Sequence, residues 1–269
     1  MDLGKKVRLA RIFSHPSGRL CSVAIDHFVG YSLGLPPGLA DLPGTIGRLV
    51  AGKPDAITMF KGVAMGCWPP HAGKVPLIVQ AGCFTADDSI IEVLTTPEEA
   101  LQLGADGIAC SIGVRGRNEG RFIRQLSDVV TAAAKHAIPV IAHIYPRDFS
   151  NGSARVLHDA DSIAWATRVG IECGADVIKV GFTGDAESYR QIVESCPVPV
   201  VAAGGPKCES LEAALNMAAK VVASGARGAT IGRNIWGLER ITEALLAFKA
   251  VIHDGQSPQQ AMVTAGFAA

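Results

Sequence analysis

The sequence predicts an α/β protein whose strands close into a (β/α)8, or TIM, barrel. Three observations carry that expectation. Eight short apolar, β-branched runs alternate with helical patterns, at roughly 25 to 35 residues per unit. Three of the helical patterns end in the same Gly-Ala step just before the next strand, at 104–105, 174–175 and 225–226, where glycine supplies a left-handed helix stop. The chain of 269 residues is 48 % apolar, with abundant glycine and alanine and few aromatics, which suits strands buried on both faces beneath tightly packed helices. An open doubly wound sheet is the alternative, but no G-x-G-x-x-G opens its first helix. Nothing marks a domain boundary, so 1–269 is expected to form a single domain with residues 1–19 as a short N-terminal extension.

The elements follow in order. Residues 4–13 form a basic, amphipathic opening in which Leu9, Ile12 and Phe13 can bury while Lys5, Lys6, Arg8 and Arg11 stay wet. That segment reads as a helix packed under the body or against a neighbouring subunit rather than as a nucleic-acid arm. Strands are expected at 20–26, 56–60, 77–81, 107–113, 139–145, 177–182, 199–205 and 228–232. Between them fall helices at 45–52, 61–65, 96–104, 119–135, 158–173, 185–195 and 210–224, with a last one at 237–253. The helix at 96 opens on a threonine cap followed by Pro-Glu-Glu.

The totals exclude several function classes. Lys plus Arg equals Asp plus Glu at 25 each, so no global field draws nucleic acid or an acidic membrane surface. Seven scattered cysteines without a C-x-x-C pair argue against a disulfide framework and for a reducing, cytoplasmic setting. No stretch approaches a membrane span and no signal-peptide core opens the chain. The expectation is a soluble protein with neither a nucleic-acid nor a membrane partner.

The chemistry centres on 177–182, an apolar strand with Lys179 in its middle. Alternation puts Val177, Lys179 and Gly181 on one side and Ile178, Val180 and Phe182 on the other. An ammonium in an apolar strand loses hydration, which favours the neutral amine; that amine attacks carbonyl carbon to form a Schiff base. The competing reading is a lysine whose stem snorkels to water. Barrel active sites lie at the C-terminal strand ends, which here read Asp26-His27, Lys61, Tyr145-Pro-Arg147, Lys179, Gly204-Gly205 and Gly232-Arg233-Asn234. Gly204 and Gly205 after strand seven, with Gly232 and Arg233 after strand eight, fit the phosphate site those two loops recurrently build. Asp26 can move a proton or orient a substrate hydroxyl, or be an ion-paired aspartate beside Lys61 or Lys179. Tyr145 can act as acid or base if a nearby ammonium lowers its pKa. His27 joins the substrate-binding set. With no H-x-H or H-E-x-x-H spacing, neither a catalytic metal nor a cofactor is expected.

Gly4-Lys-Lys-x-Arg-Leu-x-Arg-Ile-Phe13, Asp26-His27, Tyr145-Pro-Arg147, Ala175-Asp-x-x-Lys179-x-x-x-Thr183-Gly-Asp185, Gly204-Gly-Pro-Lys207 and Gly232-Arg-Asn234 together resemble one family over nearly the whole chain. It is the class I, lysine-dependent aldolases of the archaeal fructose-bisphosphate aldolase type, which also includes an aminodideoxyheptulosonate synthase and the autoinducer-2 phosphate thiolase. The resemblance implies Lys179 as the Schiff-base lysine, Tyr145 as acid/base and Asp26 as the group handling the substrate hydroxyl. It places a phosphate on Gly204, Gly205, Gly232 and Arg233, and implies a ring-shaped homo-oligomer, a decamer among the sizes. Three departures are expected around the substrate mouth: Phe28 where glycine is usual, His143 where tryptophan is common, and Asp148 where the motif ends in glycine. They point away from fructose 1,6-bisphosphate and leave the lysine chemistry intact. The implied activity is cleavage or formation of a carbon–carbon bond in a phosphorylated ketose. The rivals are a coenzyme A-dependent acyl transfer on the same scaffold and a non-catalytic sugar-phosphate sensor.

Overall fold

Each predicted apolar run becomes a stave of a closed barrel in the computed structural model, which describes residues 2–27, 34–152 and 154–267. The strands are β1 (Leu20–Ala24), β2 (Ile57–Phe60), β3 (Leu77–Gln80), β4 (Gly82–Phe84), β5 (Ile91–Val93), β6 (Gly107–Val114), β7 (Val140–Asp148), β8 (Arg155–Val156), β9 (Val177–Val180), β10 (Val200–Ala203) and β11 (Gly228–Ile231). Eight of them run parallel in the order β1-β2-β3-β6-β7-β9-β10-β11, and β11 pairs back with β1. The helices are α1 (Leu3–Ile12), α2 (Leu42–Ala51), α3 (Lys61–Cys67), α4 (Pro97–Gln102), α5 (Glu119–Ala134), α6 (Ala160–Glu172), α7 (Ala186–Glu194), α8 (Leu211–Ala223), α9 (Arg233–Trp236), α10 (Ile241–Asp254) and α11 (Pro258–Thr264). None among the described residues is long and apolar enough to cross a membrane.

Local chemistry sets the boundaries. Thr96 and Glu99 close a reciprocal capping box at α4, and Asp159, Asp185 and Ser210 cap α6, α7 and α8 with their side chains. The Gly-Ala steps behave as read: Gly104, Gly174 and Gly225 sit at φ of 76°, 79° and 84°, a region where a Cβ is costly.

Three expectations are corrected. The connection after β3 holds an antiparallel hairpin, β4 with β5, rather than a plain loop. β7 runs to Asp148 because it pairs with β6 from Val140 to Pro146 and then with β8. The last predicted helix, 237–253, starts at Ile241 as α10, and two short helices the sequence reading did not place flank it, α9 before and α11 after.

The barrel interior is layered by the two-residue period of its strands. At the N-terminal end Leu20, Ala56, Ile78, Ala109, Ile141, Val177 and Val201 form an apolar layer, sealed from below by Ile12 of α1. The extension therefore packs under the body, and Lys5 Nζ fixes it with an ion pair to Asp176 at 2.9 Å. The next inward step is polar on nearly every strand: Ser22, Thr58, Gln80, Ser111, His143, Lys179 and Thr230. One step further, Ala24, Gly82, Gly113, Gly181, Gly205 and Gly232 are small. Large side chains fill the bottom, polar ones line the middle, and missing side chains leave room at the top.

Ile12 is fully buried in the bottom layer. Ile12→Ala should lower the unfolding free energy by about 2–5 kcal/mol, read as a lower urea midpoint at unchanged slope.

Candidate active site

The room at the top is a cavity of about 560 Å³ at the C-terminal strand ends, within the size range of small-molecule sites. Asp26, His27, Tyr145, Lys179, Gly204, Gly205, Gly232 and Arg233 all line it. Eight residues scattered over the sequence are thus brought to one mouth. Lys61 is not among them: it begins α3 and pairs with Glu99 Oε1 at 2.6 Å, which removes it as a partner for Asp26.

Lys179 is 5 % exposed and projects inward from β9, flanked by His143 of β7 and Val201 of β10. Burial pushes its amine below the ordinary 10.5, while the charge of Asp26 works in the opposite direction. Asp26 lies just past β1. Burial raises its carboxyl, but Lys179, His27, His143 and a hydrogen bond from Gln80 outweigh that, and the net shift is downward. Gln80 Nε2 donates to Asp26 Oδ2 at 2.6 Å, and His27 Nδ1 lies 3.7 Å from Oδ1. Burial takes His27 down to about 4 against the pull of Asp26, and it takes His143 well below 6.5. At neutral pH the floor therefore presents one carboxylate, one amine of reduced basicity and two uncharged imidazoles.

The two glycine corners meet on the other wall. Asn234 staples them: its Nδ2 donates to the carbonyls of Gly204 and Pro206 at 2.9 and 3.0 Å, and its Oδ1 accepts from Cys208 N at 2.8 Å. Arg233 Nη2 donates to the Gly205 carbonyl at 3.1 Å, which holds the guanidinium over the loop. Gly205 takes a left-handed φ of 66°. A Cβ on Gly204 would come within 2.8 Å of Ile231 Cα, and one on Gly232 within 2.6 Å of the His27 ring, so glycine at both positions lets the two corners and His27 close up.

The three departures separate in space. His143 is not at the mouth: it is 1 % exposed, two residues below Tyr145, with Nδ1 3.2 Å from Gln80 Nε2. Asp148 is at the rim, accepting from Ser150 and pairing with Arg155 at 3.3 Å where β7 meets β8. Phe28 lies outside the described residues. Beyond β7, the segment around β8 brings Ala154, Val156 and His158 to the cavity wall. Arg147 also lines the cavity, 2 % exposed and boxed by the rings of Phe84, Phe122 and Phe149 at 4.7 to 5.1 Å. Its Nη1 approaches Asp88 Oδ1 at 2.6 Å, an ion-pair contact off the hydrogen-bond direction.

Sequence reasoning passed over Gln80 and Ser111, whose side chains join at 2.9 Å. The signal was present. Stepping by two from the apolar bottom layer lands on Gln80, Ser111, His143 and Lys179 alike.

A sequence model described as DeoC/LacD family aldolase matches residues 20–237. The 2-amino-3,7-dideoxy-D-threo-hept-6-ulosonate synthase of Halobacterium salinarum is 32 % identical over 98 % of this chain and 97 % of its own. The 3-hydroxy-5-phosphonooxypentane-2,4-dione thiolase of an Enterobacter species is 31 % identical over 97 % and 85 %. The crystal structure of an archaeal fructose 1,6-bisphosphate aldolase superposes with a TM-score of 0.80 at 26 % identity, covering 93 % of this chain and 100 % of that one.

The Lys179 amine should titrate below 10.5, and lower still in Asp26→Asn, where its opposing charge is gone. Carbamylation of Lys179 by cyanate against pH, followed by peptide mass spectrometry, gives both midpoints. A wild-type midpoint at or above the ordinary value contradicts the burial account.

Proposed function

The chain belongs to the DeoC/LacD family of aldolases, and from that premise we propose that it breaks or makes a carbon–carbon bond in a phosphorylated ketose through a Schiff base on Lys179. The observation that supports this best is the buried Lys179 amine, lowered in basicity, facing an ionised carboxylate across a cavity with a glycine-cornered Arg233 on its wall.

The residues divide the work. The phosphate rests on the backbone of Gly204, Gly205 and Gly232 with Arg233 giving a charge-assisted bond, and His27 backs that corner. Lys179 Nζ attacks the ketone carbon, and loss of water gives the iminium. The iminium withdraws the electron pair of the adjacent carbon–carbon bond as Asp26 takes the proton of the β-hydroxyl, so the aldehyde leaves and an enamine remains. Tyr145 protonates the enamine carbon. Water then adds to the new iminium and releases the phosphorylated ketone and the free amine. Synthesis is the same sequence reversed. A ring-shaped homo-oligomer and a cytoplasmic setting belong to this reading.

The thiolase relative favours a second reading, in which the same lysine site hands an acyl group to coenzyme A. Product analysis with and without coenzyme A separates the two.

Borohydride added with dihydroxyacetone phosphate should trap a covalent adduct on Lys179. Lys179→Met should lose the adduct and lower cleavage of fructose 1-phosphate and related phosphorylated ketoses by on the order of 10⁴ or more. An active enzyme with untouched Lys179 rejects the mechanism. Arg233→Ala should raise KM for these sugars about tenfold or more and leave the Lys179 adduct obtainable at higher ketone concentration.

A further inference from the structure

Gln80 meets three other side chains of the cavity floor, and no step above uses it. It ends β3, is 1 % exposed, and lines the cavity. Its Nε2 lies 2.6 Å from Asp26 Oδ2, 2.9 Å from Ser111 Oγ and 3.2 Å from His143 Nδ1. An amide nitrogen carries two hydrogens, so these three acceptors compete, and the shortest contact goes to the ionised carboxylate.

That contact also settles which way the amide faces. Turning it over would set Oε1 against the Asp26 carboxylate, oxygen lone pairs against negative charge. Oε1 must therefore point away from Asp26. It is buried and has no hydrogen-bond partner among the described residues. A buried carbonyl oxygen is normally paired, and the groups around it offer little: His143 is uncharged and already meets Nε2, and Ser111 accepts from the same nitrogen.

We propose that Gln80 is a positioning residue that orients the Asp26 carboxylate through Nε2. The proposal rests on the aldolase reading above and deepens it. It explains how a carboxylate in an apolar barrel keeps both its charge and its aim. The groups facing Asp26 are Lys179 of β9, His143 of β7, adjacent His27 and Gln80 of β3. Of these, Gln80 reaches the carboxylate with a hydrogen bond, at 2.6 Å, where His27 Nδ1 stands off at 3.7 Å. Removing that donor leaves burial less opposed, and the Asp26 pKa rises.

The test compares wild type with Gln80→Met, which keeps the bulk, and Gln80→Glu, which keeps the shape. Three readouts are taken: borohydride trapping of dihydroxyacetone phosphate on Lys179, kcat and KM for cleavage of fructose 1-phosphate, and the acid limb of the kcat/KM pH profile. Trapping should persist in both variants, which shows the barrel and its lysine intact. In Gln80→Met kcat should fall about 10²-fold, the cost of a 1 Å misplacement, and the acid limb should move to higher pH. In Gln80→Glu two carboxylates would share the site, so the limb should move further. Trapping with kcat within threefold of wild type and an unmoved acid limb overturns the proposal and leaves the aldolase reading standing. Loss of trapping in both variants assigns Gln80 a structural role and also overturns it. A wild type that neither traps the ketone nor cleaves the sugar overturns the aldolase reading and this one with it.

Discussion

The site depends on one electrostatic balance: an amine taken out of water, opposed by a single carboxylate inside the same enclosure. Dehydration lowers the basicity of Lys179, and Asp26 raises it. If burial acted alone the amine would be neutral but unsteered; if the pair closed tightly it would be a salt bridge and inert. The structure lies between these limits, because no close ion pair joins the two groups and Asp26 is instead held by the Gln80 amide at 2.6 Å. Each partner thus keeps the other in a usable state without neutralising it.

The barrel makes that balance achievable by sorting side chains by height. With strands open to the interior every second residue, three successive inward steps define a greasy base, a polar tier and an open top. Lys179 stands in the polar tier, so its surroundings are ordered groups rather than bulk water. The Asn234 staple does the corresponding work on the far wall, fixing two loops from different strands with three hydrogen bonds. Ser22 and Thr230, bonded at 2.7 Å, join two strands within the same tier.

Much of this was legible in the chain itself. The eight strands, the Gly-Ala stops and the convergence of Asp26, Tyr145, Lys179 and the glycine corners all follow from local pattern, because a parallel strand buried on both faces has little freedom in composition. What escaped was non-local. Lys61 sits at a strand end and looks eligible, yet the first turn of α3 carries it to Glu99. His143 reads as a mouth residue by its place in a motif, yet parity puts it a full step below Tyr145. Gln80 has no motif at all and is identified by its three neighbours, from strands far apart in sequence. Pattern fixes which face a residue occupies; only closure of the ring fixes whom it meets.

The seal that α1 sets beneath the barrel has a kinetic meaning. With Ile12 and the bottom layer blocking the lower end, the interior is a blind well, and whatever enters by the rim departs by the rim. In the proposed cleavage, the half not tied to Lys179 must escape first. Sequence of departure is then dictated by architecture: the apolar base of the strands, backed by α1, leaves a cul-de-sac and imposes single file on its traffic.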